Sequence, residues 1–256
     1  MLRPRIIPCL LIHEGGLVKT VGFKDPKYVG DPINAVKIFN EKEADELIVV
    51  DMDATVNGVE PDYKAIEYMA LECRMPLCYG GGVHSVEQAK RIIGLGVEKV
   101  SISAAAVARP ELVSEIAAEV GRQSVVVVID AKKKLLGGWE VVTRNAGART
   151  KLDALDFAAQ VAELGAGEIV MNSVDLDGKM TGYDLDLARR LRKRVKIPMT
   201  MLGGAGKLEH LAELFDACGV VGAAAGSLFV FKGKYRAVLI NYPKPTEKES
   251  LVAATR

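Results

Sequence analysis

The chain has 256 residues, 49% of them hydrophobic and 26% charged, with a formal net charge of +1, so no overall basic field is available to hold nucleic acid or an anionic membrane. No apolar run is long enough to cross a bilayer, and MLRPRIIPCLLIHEGG reaches polar residues too soon for a signal peptide. Cys9, Cys73, Cys78 and Cys218 fit neither a zinc pair nor a redox CxxC; Cys9 and Cys78 sit in apolar runs as small hydrophobes, and a reducing, cytoplasmic setting without metal or cofactor is expected.

Short apolar runs alternate with amphipathic stretches. The predicted strands are Arg5–Leu11, Glu46–Met52, Pro76–Tyr79, Lys99–Ser103, Ser124–Asp130, Glu168–Ser173, Pro198–Leu202 and Val220–Ala225. Most are continuous apolar runs, as parallel strands covered on both faces require. Helices are predicted over Pro32–Lys42, Val86–Leu95, Glu111–Val120, Ala154–Leu164, Leu185–Arg194 and Leu208–Phe215, several opened by a cap or first-turn proline: Asp31-Pro32, Ser85, Asp153 and Asp184. His13–Gly30 breaks the rhythm and reads as a glycine-rich connection pliable enough to close over a ligand. Trp139 in GGWEVVT belongs to a loop or short hairpin after the fifth strand. His84 and His210 are expected to be solvated, as is the cationic stretch Arg189–Arg194, and the tail 243–256 is expected to be weakly ordered.

Eight strands alternating with helices allow a closed barrel or an open doubly wound sheet. An internal repeat favours the barrel. DPINAVKIFNEKEADELIVVDMDA from Asp31 resembles DALDFAAQVAELGAGEIVMNSVDL from Asp153, and MPLCYGGGVHSVEQ from Met75 resembles IPMTMLGGAGKLEH from Ile197, at a constant shift of about 122 residues. Two half-barrels, roughly 1–122 and 123–242, would close one (β/α)₈ TIM barrel. The shift matches Gly82 to Gly204 and Ala104 to Gly226. Such barrels carry their sites at the strand C-termini, where this chain has Gly80-Gly81-Gly82, Gly203-Gly204 and Gly226-Ser227. Glycine lets an anion approach backbone N–H groups. Two symmetry-equivalent clusters predict a ligand phosphorylated at both ends, or two phosphate ions, on the C-terminal face.

YGGGVHSVEQA at Tyr79–Ala89, VVVIDAK at Val126–Lys132, LGAGEI at Leu164–Ile169, DLDG at Asp175–Gly178 and LGGAG at Leu202–Gly206 resemble the cyclase subunit of imidazole glycerol phosphate synthase, over almost the whole chain. The resemblance implies phosphate binding by Gly81, Gly82, Ser103, Gly178, Gly203, Gly204, Gly226 and Ser227, with Lys19, Asp51 and Asp177 contacting substrate. In that family ammonia from a glutaminase crosses the barrel and attacks a bis-phosphorylated aminoimidazole ribonucleotide, and two aspartates, ending strands one and five, exchange the protons. Asp130 fills the second position, but the first is Leu11, which has no ionisable group. The family's Asn and Thr or Ser at the first phosphate site are Ser103 and Ala104, which removes a hydroxyl.

At the opposite face Arg5, Glu46, Lys99 and Glu168 each precede a strand's apolar run. Two acids and two bases sum to zero charge and can pair in a partly buried ring. The resemblance makes them an ammonia gate facing a glutaminase. With the gate complete and the proton-transfer pair broken, the expected function is docking a glutaminase and channelling ammonia to an acceptor outside histidine synthesis. IIPCLLIH and the MLRPR start resemble family variants that sit beside surface-polysaccharide genes, in which a third protein uses the ammonia to build an acetamidino sugar. The alternatives are a true cyclase in which His13, Asp51 or Asp177 replaces the missing aspartate, and a non-enzymatic bis-phosphate scaffold.

Overall fold

A computed structural model describes residues 3–253; Met1, Leu2 and the end of the tail, 254–256, lie outside the described residues. Eight parallel strands close a barrel: β1 (Arg5–His13), β2 (Leu47–Asp51), β3 (Leu77–Gly80), β4 (Lys99–Ile102), β5 (Val125–Lys133), β6 (Glu168–Ser173), β7 (Met199–Leu202) and β8 (Gly222–Ala225). The ring shuts where Arg5–Pro8 pair with Gly222–Ala225. The strands carry two apolar faces, as the continuous runs predict. On β1, Ile6 and Leu10 pack outward against helices. Ile7 and Cys9 point inward, where they meet Ile48, Cys78, Val126, Val170 and Ala224 in a separate core inside the barrel.

The outer layer consists of α1 (Pro32–Glu41), α2 (Tyr63–Glu72), α3 (Val86–Gly94), α4 (Leu112–Val120), α5 (Ala154–Glu163), α6 (Leu185–Arg194), α7 (Leu208–Cys218) and α8 (Pro245–Ala253). The four predicted caps form: Asp31, Ser85, Asp153 and Asp184 each accept a first-turn N–H. On α6, Arg189, Arg190 and residues 192–194 are exposed while Leu187 and Leu191 are buried.

Three expectations need correction. His13–Gly30 is no loose connection: β1 runs on to His13, and Gly16–Val21 and Lys24–Gly30 fold back on it as an antiparallel hairpin. The run Leu17-Val18-Lys19-Thr20-Val21, rich in β-branched residues, with Gly22 in the turn at φ 59°, supplies both strand propensity and reversal. The described part of the tail is ordered into α8. Its packing is largely polar, with Lys248 bonding the Glu43 carbonyl and Asp45, so the hydrophobic pattern gave no warning of it. His210 is 7% exposed, for a reason the repeat makes plain. It takes the place of Gln88: Gln88 Oε1 accepts the His84 N–H at 2.8 Å, and His210 Nδ1 accepts the equivalent Gly206 N–H at 3.1 Å. His84, by contrast, is exposed.

The hairpins complete the two-fold pattern. After β5, Trp139–Thr143 and Ala148–Asp153 form a second hairpin, and Asp130 pairs with Val142 as Leu11 pairs with Val18. Each hairpin crosses to the other half. Gly22 N–H bonds the Asp177 carbonyl at 3.1 Å, and Asn145 Nδ2 donates to the Met52 carbonyl at 3.0 Å.

Candidate functional site at the two ends of the barrel

At the N-terminal end, Arg5, Glu46, Lys99 and Glu168 form one closed ring. Arg5 bonds Glu46 and reaches Glu168 at 2.6 Å, while Lys99 Nζ lies 2.7 Å from Glu46 and 2.9 Å from Glu168. Thr200 Oγ1 donates to Glu168 at 2.6 Å. Glu46 and Glu168 are only 3% and 4% exposed. Burial opposes the Glu168 charge, but Arg5 and Lys99 outweigh it and hold its pKa down at about 2. Burial likewise opposes the charges on Arg5 and Lys99, and their carboxylate partners still leave both pKa values raised. Above the ring the lumen is apolar. Its two thiols are neutral, Cys9 being pushed up to about 12 by burial and Cys78 raised for the same reason.

The lumen opens at the C-terminal end into a cavity of about 440 Å³. Its floor is Cys9, Val50, Val128 and Leu202, residues continuous with the inner core. Leu11 and Asp130 line it together, as do Asp51, Gly81, Gly82, Ser103 and Ala104. Asp130 is half-buried, and desolvation of its carboxyl pushes its pKa up to about 6; Asn172 opposes the shift by donating from Nδ2 at 2.8 Å, and Asp177 adds to it. Asn172 Oδ1 has no partner. Burial raises the Asp51 pKa too, although Oδ1 of Asp51 accepts the Asp53 and Ala54 N–H groups and caps the turn Ala54–Asn57.

The glycine clusters are geometric twins. A Cβ on Gly81 would collide with the Asp51 carbonyl oxygen, and one on Gly203 would lie 2.6 Å from that of Ser173, the residue equivalent to Asp51. Both glycines have left-handed φ, 110° and 92°. The repeat slips by one residue at the next strand end. Ser103 and Gly226 have matching backbone angles as caps of the short helices Ala104–Ala108 and Ser227–Val230. The true counterpart of Ala104 is therefore Ser227 rather than Gly226. One half has a hydroxyl there and the other a methyl. Ser227 Oγ is buried without a partner.

Only the first cluster lines the cavity. Gly178, Gly203, Gly204, Gly226 and Ser227 do not, and the first hairpin lies against part of that side: Thr20 packs on Gly178 and Lys19 on Gly226. Lys19 and Asp177 pair with each other at 3.0 Å, both buried, and Asp177 also accepts from Thr20 Oγ1 and the Phe23 N–H. Among the expected substrate-contact residues, Asp51 alone lines the cavity. Asp175 accepts the Lys133 N–H. His13 lies outside the lining, bonded at 2.7 Å to Asp53, which raises its pKa. Sequence reasoning missed Arg144, Asn145 and Asn172, all in the cavity wall. Asn172 was findable, because its register opposite Asp130 follows from two adjacent parallel strands. The hairpin tip gave no such signal. Among the described residues, no group of His, Cys, Asp and Glu side chains is arranged to hold a metal ion, and no helix is long and apolar enough to cross a membrane.

Residues 5–236 match the family described as histidine biosynthesis protein. Relatives provisionally named imidazole glycerol phosphate synthase subunits align along nearly their whole length. One from Vibrio vulnificus strain YJ016 is 58% identical over 97% of this chain and 96% of its own. One from Leptospira borgpetersenii is 54% identical over 98% and 99%, and one from Pseudomonas aeruginosa 51% identical over 95% and 97%. The chain belongs to this family of imidazole glycerol phosphate synthase cyclase-type barrels.

Proposed function

We propose that this barrel docks a glutaminase on the face carrying the Arg5–Glu46–Lys99–Glu168 ring, and conducts ammonia through its lumen to an acceptor other than the histidine-pathway ribonucleotide. The carrying observation is Leu11, an aliphatic side chain in the same cavity as Asp130. Ring closure with cleavage needs a proton delivered and another removed, and one carboxyl does not do both in the same step. Two other carboxylates near the mouth are committed, Asp177 to Lys19 and Thr20 and Asp53 to His13, and Asp51 accepts two backbone N–H groups. The lumen suits the transport role. Its aliphatic and thiol lining favours neutral ammonia over ammonium, because an unpaired ion there would be heavily penalised. On this reading the ion-pair ring opens when the glutaminase binds, and a third enzyme takes the ammonia at the mouth, as in acetamidino-sugar synthesis. The protein then acts in the cytoplasm.

A second reading is a working cyclase with Asp51 as substitute, since Asp51 lines the cavity and burial raises its pKa. One assay separates the two. With ammonium salt and the bis-phosphorylated aminoimidazole ribonucleotide, the proposal expects no imidazole product above background. Robust turnover that Asp51→Asn abolishes would establish the second reading instead. Docking is tested by mixing the barrel with a candidate glutaminase. The expected result is a complex with stimulated glutamine hydrolysis; the absence of both would leave a bis-phosphate scaffold.

A further inference from the structure

The two anion cradles, equivalent by the repeat, are not equally equipped. At the second, Ser227 offers a buried hydroxyl without a partner, and Lys19 lies against Gly226. At the first, Ala104 replaces that hydroxyl, and the Gly82 N–H is already given to Thr55 Oγ1 at 3.1 Å. The first cradle is therefore poorer in donors than the second and has no lysine of its own; His84 and the Ser103 hydroxyl lie in its cavity, and so do two carboxyl groups, Asp51 and Asp130. An anion seated there would be opposed by those carboxylates and favoured by a further cation.

One lysine or arginine lines that cavity: Arg144, at the tip of the second hairpin. Among the described residues it makes no ion pair and no side-chain hydrogen bond, whereas Lys19 is held by Asp177. The tip is fixed in place. Arg144, Asn145 and Ala146 all have left-handed φ, at 53°, 54° and 61°. Three successive non-glycine residues in that region cost about 1 kcal/mol or more each and persist only where their surroundings impose them. Here the Asn145 amide bonds the Met52 carbonyl across the mouth, and the Gly147 N–H closes the turn on the Arg144 carbonyl at 3.0 Å.

We propose that Arg144 is an anion-binding residue that the hairpin of the second half-barrel lends to the first half's cradle, where its guanidinium holds a phosphate or carboxylate end of the acceptor. Arginine suits this task because its planar fork can take two oxygens of such a group at once. The inference rests on the proposed function only in taking the cavity as the acceptor's place. It does not depend on ammonia transfer or on which reaction follows.

The test uses the whole protein labelled with ¹⁵N-glycine and titrated with inorganic phosphate. The amides of Gly81 and Gly82 report the first cradle, and those of Gly203 and Gly204 the second. In the wild type, Gly81 and Gly82 should shift with phosphate. Arg144→Gln should weaken that response about tenfold, the scale of one charge-assisted hydrogen bond at a solvated site, while Gly203 and Gly204 titrate as before. Arg144→Lys should recover part of the loss. A carboxylate probe such as malonate, run in parallel, tells whether the cradle prefers phosphate. Absence of a wild-type response at Gly81 and Gly82, an unchanged response in Arg144→Gln, or equal weakening at both cradles would each overturn the assignment. Failure of glutaminase docking would sink the proposed function and leave this titration standing.

Discussion

Replacing Asp130 with asparagine should make the protein more stable, by an amount that depends on pH. Burial lifts the Asp130 pKa from 3.8 to about 6. The folded chain thus binds the proton more tightly than the unfolded chain, so native stability falls as pH rises through the interval between those values. Below pH 3.8 the group is protonated in both states and costs nothing extra; above about pH 6 the ionised form carries its full penalty. The shift corresponds to about 3 kcal/mol. The amide has the same shape, can still accept from Asn172 Nδ2, and carries no charge to desolvate. A gain of about 1–3 kcal/mol at pH 8 is expected, shrinking to a few tenths near pH 4. Urea unfolding of both proteins at the two pH values measures it. A variant less stable than wild type at pH 8, or one whose gain is the same at both pH values, would refute the reasoning. The outcome bears on function, since a carboxyl retained against its own cost to the fold is a sign of use.

The ring at the other end should behave oppositely. Glu168→Gln leaves Arg5 and Lys99 sharing one carboxylate and should lower stability by about 3 kcal/mol in neutral urea melts. Because the Glu168 pKa is held down at about 2 against 4.5, this contribution is present above about pH 4.5 and is lost as pH falls towards 2. His210→Gln should be tolerated within about 1 kcal/mol, because Gln88 already performs the same task in the other half, whereas His210→Leu orphans the Gly206 N–H and should cost about 1–3 kcal/mol by thermal unfolding. Ser227→Ala removes a hydroxyl without a partner, so the unliganded protein should be no less stable, while phosphate titrated at the Gly203 and Gly204 amides should bind several-fold more weakly.

The barrel was legible because its strands are buried on both faces and its helices carry explicit caps. Predicted and observed strands differ mostly by one to three residues at their ends, as with Glu46–Met52 against Leu47–Asp51. The largest differences lie where β1 and β5 extend into their hairpins. Those hairpins went unread in one case and half-read in the other, because glycines at 15, 16, 22 and 30 suggested pliability while the β-branched content of Leu17–Val21 between them was the stronger signal. The one-residue slip between the cradles was invisible, since a constant shift aligned the other landmarks and it takes the strand register and the backbone angles of Ser103 and Gly226 to expose it. Of the candidate site, Leu11, Asp130, Asp51 and the first cradle meet in one cavity, whereas Lys19 and Asp177 spend their charges on each other. Arg144 escaped notice because its importance depends on a chain crossing between half-barrels that local sequence does not encode.

That crossing explains why the chain can lose half of its symmetry without losing its architecture. Each hairpin is pinned by backbone carbonyls, Asp177 for the first and Met52 for the second, so side chains elsewhere on the mouth are free to change. The positions that did change sit where nothing structural holds them. Leu11 faces the cavity, and Ala104 opens a short helix whose cap makes no side-chain bond. The inner core and the ion-pair ring are interlocked by contrast, and loss of one ring member would leave one charge of the ring uncompensated. Substitutions clustered at one end of the lumen, with the other end intact, are what a change of acceptor would leave behind if the source of ammonia stayed the same.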